Sequence, residues 1–156
     1  MDNVVNLLKN SSGFVFPPLL LLISNILGYR SLFLLLLSDF VIINPGLKKL
    51  VGLFGLQSKR PYCTDVDSFK CYGMPSGHTE MHFILLTVLL LHLYNNGSND
   101  KKLLYSTIVV GLMTVITMWQ RFTTGSHTPE QICCGAAVGA VIGYFYYTYF
   151  FKFIGF

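Results

Sequence analysis

Two short stretches hold most of the chemistry available to this sequence: Pro75-Ser76-Gly77-His78 and Arg121-Phe122-Thr123-Thr124-Gly125-Ser126-His127. Each sits at the end of an apolar run. Together they offer two imidazoles, a guanidinium, hydroxyls and a Ser-Gly turn whose backbone N–H groups can face a ligand. That kit suits phosphoryl transfer, in which catalysis comes from positioning and from stabilising charge on the phosphate oxygens. An imidazole supplies a nucleophile or a proton carrier near neutral pH, and a guanidinium pairs with phosphate through two N–H groups at once.

The elements that must position these groups lie in a membrane. The chain has 156 residues, of which 53% are hydrophobic and only 12% charged, and its mean hydropathy is +0.56. A soluble domain carries about 25% charged residues. The net charge of +4 does not imply nucleic acid, because Lys and Arg are scattered through short loops with no basic, aromatic-interleaved stripe. The arginines are Arg30, Arg60 and Arg121. An arginine near a bilayer is costly enough to point to function.

Apolar runs approaching the roughly 20 residues of a membrane span predict an all-α, polytopic membrane helix bundle of about five transmembrane helices, with 1–156 as a single domain. The first run, 14–28, opens near Pro17-Pro18 and is read as a span rather than a cleavable leader, since the amino end is weakly basic and no small-residue cleavage site follows. Residues 31–43 and 47–56, separated by Asn44-Pro45-Gly46, fit either one kinked span or a short span with an interfacial helix. A polar loop over 57–74 ends at Pro75, a natural helix entrance. Spans over 76–93, 103–120 and 132–151 follow, joined by a breaker-rich turn at 95–100 and a short link at 121–128. Alternating direction then brings Arg60, His78, Arg121 and His127 to one membrane face.

Other features have blander readings. Gly135, Gly139 and Gly143 recur every four residues and give a helix one smooth stripe, predicting packing inside the bundle, with a homodimer interface as the other use. Tyr144, Tyr146, Tyr147 and Tyr149 are expected as interfacial anchors, and His92 as an interfacial histidine without chemistry. His78 and His82 share a helical face, but Thr79 stands where a zinc protease has its glutamate, so His82 is read as a hydrogen-bonding residue. Glu80 is expected at the interface or facing the bundle, and Asp39 either beside the site or at the membrane boundary. The four cysteines lack metal-site spacing. Cys63 and Cys71 flank one loop and form either a disulfide or two free thiols, while Cys133-Cys134 packs within a helix.

At Arg60-Pro61, Pro75-Ser76-Gly77-His78 and Arg121-x5-His127, in that order, the chain resembles the phosphatidic-acid phosphatase type 2 (PAP2) or lipid phosphate phosphatase superfamily. The match runs from Asn44 to Gln131. The family pattern is a lysine followed by Arg-Pro, then Pro-Ser-Gly-His, then Ser-Arg-x5-His-x3-Asp. Three positions depart from it. Leu53 stands where the lysine is due, and Asn44-x-x-Leu47-Lys48 looks like that segment displaced upstream. Lys48, Lys49 or Lys59 then supplies the cation, with Lys49 favoured because four extra residues are close to one helical turn. Gln120 replaces the serine and still donates a hydrogen bond. Gln131 replaces the aspartate, with Glu130 beside it.

The resemblance implies a membrane-embedded hydrolase that removes phosphate from a lipid phosphate or a dolichyl- or undecaprenyl-type prenyl diphosphate through a phosphohistidine, with neither cofactor nor metal. His127 would be the nucleophile and His78 the general acid. Lys49, Arg60 and Arg121, with the Ser76 hydroxyl and the Gly77 N–H, would hold the phosphate. A glutamine oxygen fixes the tautomer of His127 but adds no charge, so Glu130 is expected to supply the carboxylate, and Glu130→Gln to slow turnover more than Gln131→Ala. A catalytically weakened, lipid-binding or membrane assembly protein is the alternative. The family's usual six spans imply that the first is missing here. Its usual orientation implies a luminal or periplasmic site in the ER or in the plasma or inner membrane, an orientation that would allow the Cys63–Cys71 pairing. Arg30, Lys101, Lys102 and Lys152 give only a modest positive-inside bias.

Overall fold

The computed structural model of the chain describes residues 19–24, 29–54, 59–61, 63, 71–96 and 100–151. Residues 19–24 are helical and bury Leu20 and Ser24; they are the part of the expected first span that lies within the described residues, apart from which 14–28 falls outside them.

Helix α1 (Arg30–Ser38) passes through a π-helical turn (Asp39–Ile43) into α2 (Asn44–Leu53). The result is one unbroken membrane-length segment, Arg30–Leu53, rather than a span with a separate interfacial helix. Pro45 has no N–H to donate, and a π turn is the usual way a helix absorbs such a local fault. The turn also sets the facing of its two ends. Asp39 and Asn44, five residues apart, both point into the bundle and are buried.

Helix α3 (Gly77–Asn96) is followed by α4 (Lys101–Thr123) and α5 (Pro129–Tyr146), which continues as a π-helical segment (Tyr147–Phe151). Arg30–Leu53, Lys101–Thr123 and Pro129–Phe151 are long and apolar enough to cross a membrane. The 20 residues of α3 also reach about 30 Å at 1.5 Å per residue. Its first two turns are polar because it is the central helix, burying Thr79, Glu80 and His82 at one end and Ile84, Leu85, Val88 and Leu89 beyond them. Among the described residues there is no strand, only an isolated bridge between Lys59 and Tyr72. The architecture is the expected all-α polytopic membrane bundle.

The glycine stripe is used inside the bundle. A Cβ on Gly135 would lie 2.6 Å from the Ser76 carbonyl oxygen, one on Gly139 would overlap the Glu80 carbonyl, and one on Gly143 would lie 2.8 Å from the Ile84 carbonyl. The stripe therefore lets the α5 backbone lie directly on α3. Two of the four tyrosines are not interfacial anchors. Tyr146 and Tyr147 are buried, with Tyr146 Oη donating to Ser31 Oγ (2.6 Å) and Asn95 Nδ2 donating to Tyr147 Oη (3.1 Å). His92, near the far end of α3, is buried edge-on to Tyr29 and Phe151. Tyr144 and Tyr149 are exposed, as is Cys133.

Gly139→Ala should push α5 off α3 and destabilise the bundle by about 1–3 kcal/mol, the usual cost of overpacking. Gly111→Ala, where a new Cβ meets only Leu86 at 3.9 Å, should leave the melting temperature in detergent equal or higher. Equal melting of the two variants would show that the α3–α5 contact has slack.

Candidate active site

The link between α4 and α5 is a compact helix stop followed at once by a helix start. After Thr123 the chain takes a left-handed step at Gly125 (φ 66°), a conformation that glycine adopts without steric cost. Gly125 N–H donates to Phe122 O (3.0 Å) and Ser126 N–H to Arg121 O (3.1 Å), the paired bonds of a Schellman ending. Arg121 O also accepts from His127 N–H (3.2 Å). Thr128 then caps α5 in a capping box with Gln131. His127 is thereby held between two helix ends and is 3% exposed.

Gln131 is fully buried, and its amide has only one consistent orientation. Thr128 N–H, which can only donate, lies 3.2 Å from Oε1. Lys59 C=O, which can only accept, lies 2.9 Å from Nε2. Oε1 is thus an acceptor, and His127 Nδ1, 3.0 Å from it, must carry the proton of the neutral ring. Nε2 is left with its lone pair. Gly73 makes room for this arrangement, since a Cβ there would overlap the Gln131 amide.

His127, His78, Arg60, Lys48, Asn44 and Gly77 line one cavity of about 190 Å3 with Phe40 and Pro45. Arg60 Nε is buried with no hydrogen-bond partner among the described residues. Arg121 is buried and close enough to His127 to act on it electrostatically, as are Arg60 and Lys48. Gly77 begins α3 and lines the same space, at the end of a helix where backbone N–H groups lack intrahelical partners. On the cavity wall Asn44 Nδ2 donates to Glu80 Oε2 (2.5 Å), and Asp39 faces the same carboxyl. His82 points away toward α4, with Thr117 Oγ1 3.1 Å from its Nε2.

Three expected site residues sit elsewhere. Lys49 is exposed and Lys48 lines the cavity. Counting one turn back from Leu53 carries over a spacing measured from Arg60 across the intervening loop, whereas facing is set within α2, where Lys48 lies four residues after the inward-pointing Asn44. Glu130 is exposed on the outer side of the first turn of α5, and its neighbour Gln131 turns inward to His127. The Ser76 hydroxyl is buried and accepts from Thr79 Oγ1 (3.2 Å), while Ser76 N–H donates to Gln131 O (3.2 Å). Asn44, Phe40 and Gly73 were not expected at the site. Only Asn44 had a signal, its place one turn before Lys48.

A multi-pass helical bundle with this cavity at the shared end of its helices defines the class, and sequence comparison supplies the family. The profile of the PAP2 superfamily matches residues 28–154; the chain belongs to that superfamily. It is 26% identical over 125 residues to lipid phosphate phosphatase gamma of Arabidopsis thaliana, covering 78% of this chain and 55% of the plant protein. The chain thus spans about half the length of that curated relative. No solved structure gives a significant match.

Burial pushes the His127 imidazole down to about 3, the Arg60 guanidinium adding to the effect. The ring is neutral in the folded protein at pH 5–8, whereas an unfolded histidine takes up a proton below about 6.5. This contribution to stability is complete above pH 6.5 and is lost as pH falls toward 3, at up to about 1.4 kcal/mol per pH unit. The wild-type melting temperature should therefore drop more steeply between pH 6.5 and 4.5 than that of His127→Gln. Parallel slopes would show that His127 is not held neutral.

Proposed function

We propose that this protein hydrolyses a lipid-linked phosphate or diphosphate at the membrane surface through a phosphohistidine on His127. The observation that carries the reading is the His127 ring, fixed by Gln131 as the Nδ1–H tautomer, in a cavity shared with His78, Arg60 and Lys48. The Nε2 lone pair attacks phosphorus while the bond to the leaving oxygen breaks, and His78 protonates that oxygen. His78 then takes a proton from water, which attacks phosphorus, and the P–N electron pair returns to Nε2. Lys48, Arg60, Arg121 and the start of α3 hold the equatorial oxygens. These side chains supply the positive charge the steps require, so a metal is not part of the scheme.

The cavity volume of about 190 Å3 is below that of typical small-molecule pockets, at about 300–1,000 Å3. It suits a phosphate headgroup whose hydrocarbon stays in the bilayer. Diacylglycerol phosphates and prenyl diphosphates both meet that description. The Cys63–Cys71 disulfide supports a site facing an oxidising lumen or periplasm. A second reading, a weakened enzyme that retains lipid phosphate, is favoured by the neutral Gln131 beside the nucleophile.

Purified protein in detergent with chelator present should release phosphate from phosphatidic acid or a prenyl diphosphate, and His127→Ala should lower the rate by about 1,000-fold or more. Gln131→Ala should cost about 10–100-fold, the usual range for a group orienting a reactive one, and Glu130→Gln less than about twofold. No release from folded wild-type protein that still binds inorganic phosphate would favour the second reading. A larger loss in Glu130→Gln than in Gln131→Ala would overturn the role given to Gln131.

A further inference from the structure

The short bridge that carries Arg60 is joined to both halves of the site. Arg60 N–H donates to Cys71 O (3.0 Å) and Cys63 N–H donates to Arg60 O (3.1 Å), so the two cysteines bracket the backbone of Arg60. Their side chains form a disulfide with Cα atoms 5.5 Å apart. Lys59 pairs with Tyr72 in an isolated antiparallel bridge. The residues on the outer sides of these contacts both meet Gln131: Lys59 C=O accepts from its Nε2 at 2.9 Å, and Gly73 lies against its amide. Gln131 in turn holds His127 Nδ1.

From this connectivity we infer that the Cys63–Cys71 disulfide is a positioning clasp for catalysis, acting through two arms: Arg60, which enters the phosphate cavity, and Lys59 C=O with Gly73, which seats the amide that orients His127. The inference rests on the phosphatase reading above. A bridge this short is not independently stable in water, so the covalent link is what keeps Lys59 and Gly73 together on either side of Gln131. Reduction by a dithiol transfers two electrons and two protons, breaks the S–S bond, forms two thiols and leaves the reductant as its cyclic disulfide. With the bond open, the Arg60 backbone loses its bracket, and the Lys59 carbonyl that accepts from Gln131 Nε2 is free to move away. Activity is thereby tied to the oxidised form of this loop. Cys133 and Cys134 are free thiols on α5 and take no part.

The experiment compares oxidised and dithiothreitol-reduced full-length protein in detergent, with thiol titration rising from two to four per chain as the check on reduction. Calorimetry with inorganic phosphate reads the Arg60 arm, and kcat on a lipid phosphate reads the His127 arm. Reduction should weaken phosphate binding several-fold and lower kcat by about tenfold, the low end for loss of an orienting contact. In Gln131→Ala the reductant should still weaken phosphate binding but hardly change kcat, because the second arm is already cut. A disulfide that only raised global stability would lower kcat equally in both backgrounds, which would overturn the proposal. Gly73→Ala, which disturbs the amide seat in oxidised protein, should reproduce the loss of kcat with phosphate binding retained; wild-type kcat in that variant would also overturn it. Oxidised protein that binds phosphate more tightly than reduced protein, yet releases none from any substrate, would remove the phosphatase reading and leave the phosphate arm of the clasp standing. Unchanged phosphate affinity on reduction would remove that arm.

Discussion

The site depends on how closely α5 lies on α3. Gly135, Gly139 and Gly143 bring the two backbones to a separation at which a methyl group would meet Ser76, Glu80 or Ile84. At the site end the same contact closes with a hydrogen bond from Ser76 N–H to Gln131 O. That bond fixes a register: His78 lies two residues after Ser76, and His127 four before Gln131. The two imidazoles reach one cavity because a stripe of small residues sets the sliding position of two helices. In a bilayer, where apolar surface gains nothing by leaving lipid for protein, close backbone packing of this kind is a main source of helix association.

Polarity is divided along the bundle in a way that serves the cavity. The far half buries Leu32, Leu36, Leu85, Val88, Leu89 and Val110. Toward the site the interior changes to Thr79, Glu80, His82, Thr114, Thr117, Gln120 and Gln131. Polar groups at such depth must find partners. Thr114 Oγ1 donates to Val110 O (2.7 Å), Thr117 lies against His82, and Asn44 joins Glu80. These bonds tie α2, α3 and α4 together behind the cavity, so the polar interior at this end is satisfied within the bundle.

Much of this was legible in the chain. Breakers at Asn95 to Asp100, the Pro75 entrance and the apolar runs located the helices, and alternation of direction sent Arg60, His78, Arg121 and His127 to one face. The glycine spacing anticipated a close internal contact. Facing at the level of a single residue was less legible. Lys48 and Lys49, or Glu130 and Gln131, differ by about 100° around a helix, and which one enters the site is decided by the register of neighbouring helices and by caps, not by composition. The π turn at Asp39–Ile43 left no mark beyond Pro45. Gly73 gave no signal, because its role exists only once Gln131 has folded against it.

Gln131 shows why residue type alone misjudges this site. An aspartate four residues after the histidine would accept from Nδ1–H and add a negative charge that stabilises the imidazolium forming on attack. The glutamine gives up that charge. Its longer side chain, however, accepts from His127 and Thr128 with one atom and donates to Lys59 with the other. A carboxylate there would face the Lys59 carbonyl with no proton to give, leaving two acceptors opposed in a buried place. The neutral amide and the Lys59 contact therefore belong together, and so do the amide and Gly73, since no side chain fits beside it. The orientation of the His127 ring is drawn from Lys59, next to Arg60, as well as from α5. In the pattern this chain resembles, a carboxylate on one helix stands in that place; here the His127 ring meets an amide on α5 that is itself seated by the Lys59 carbonyl.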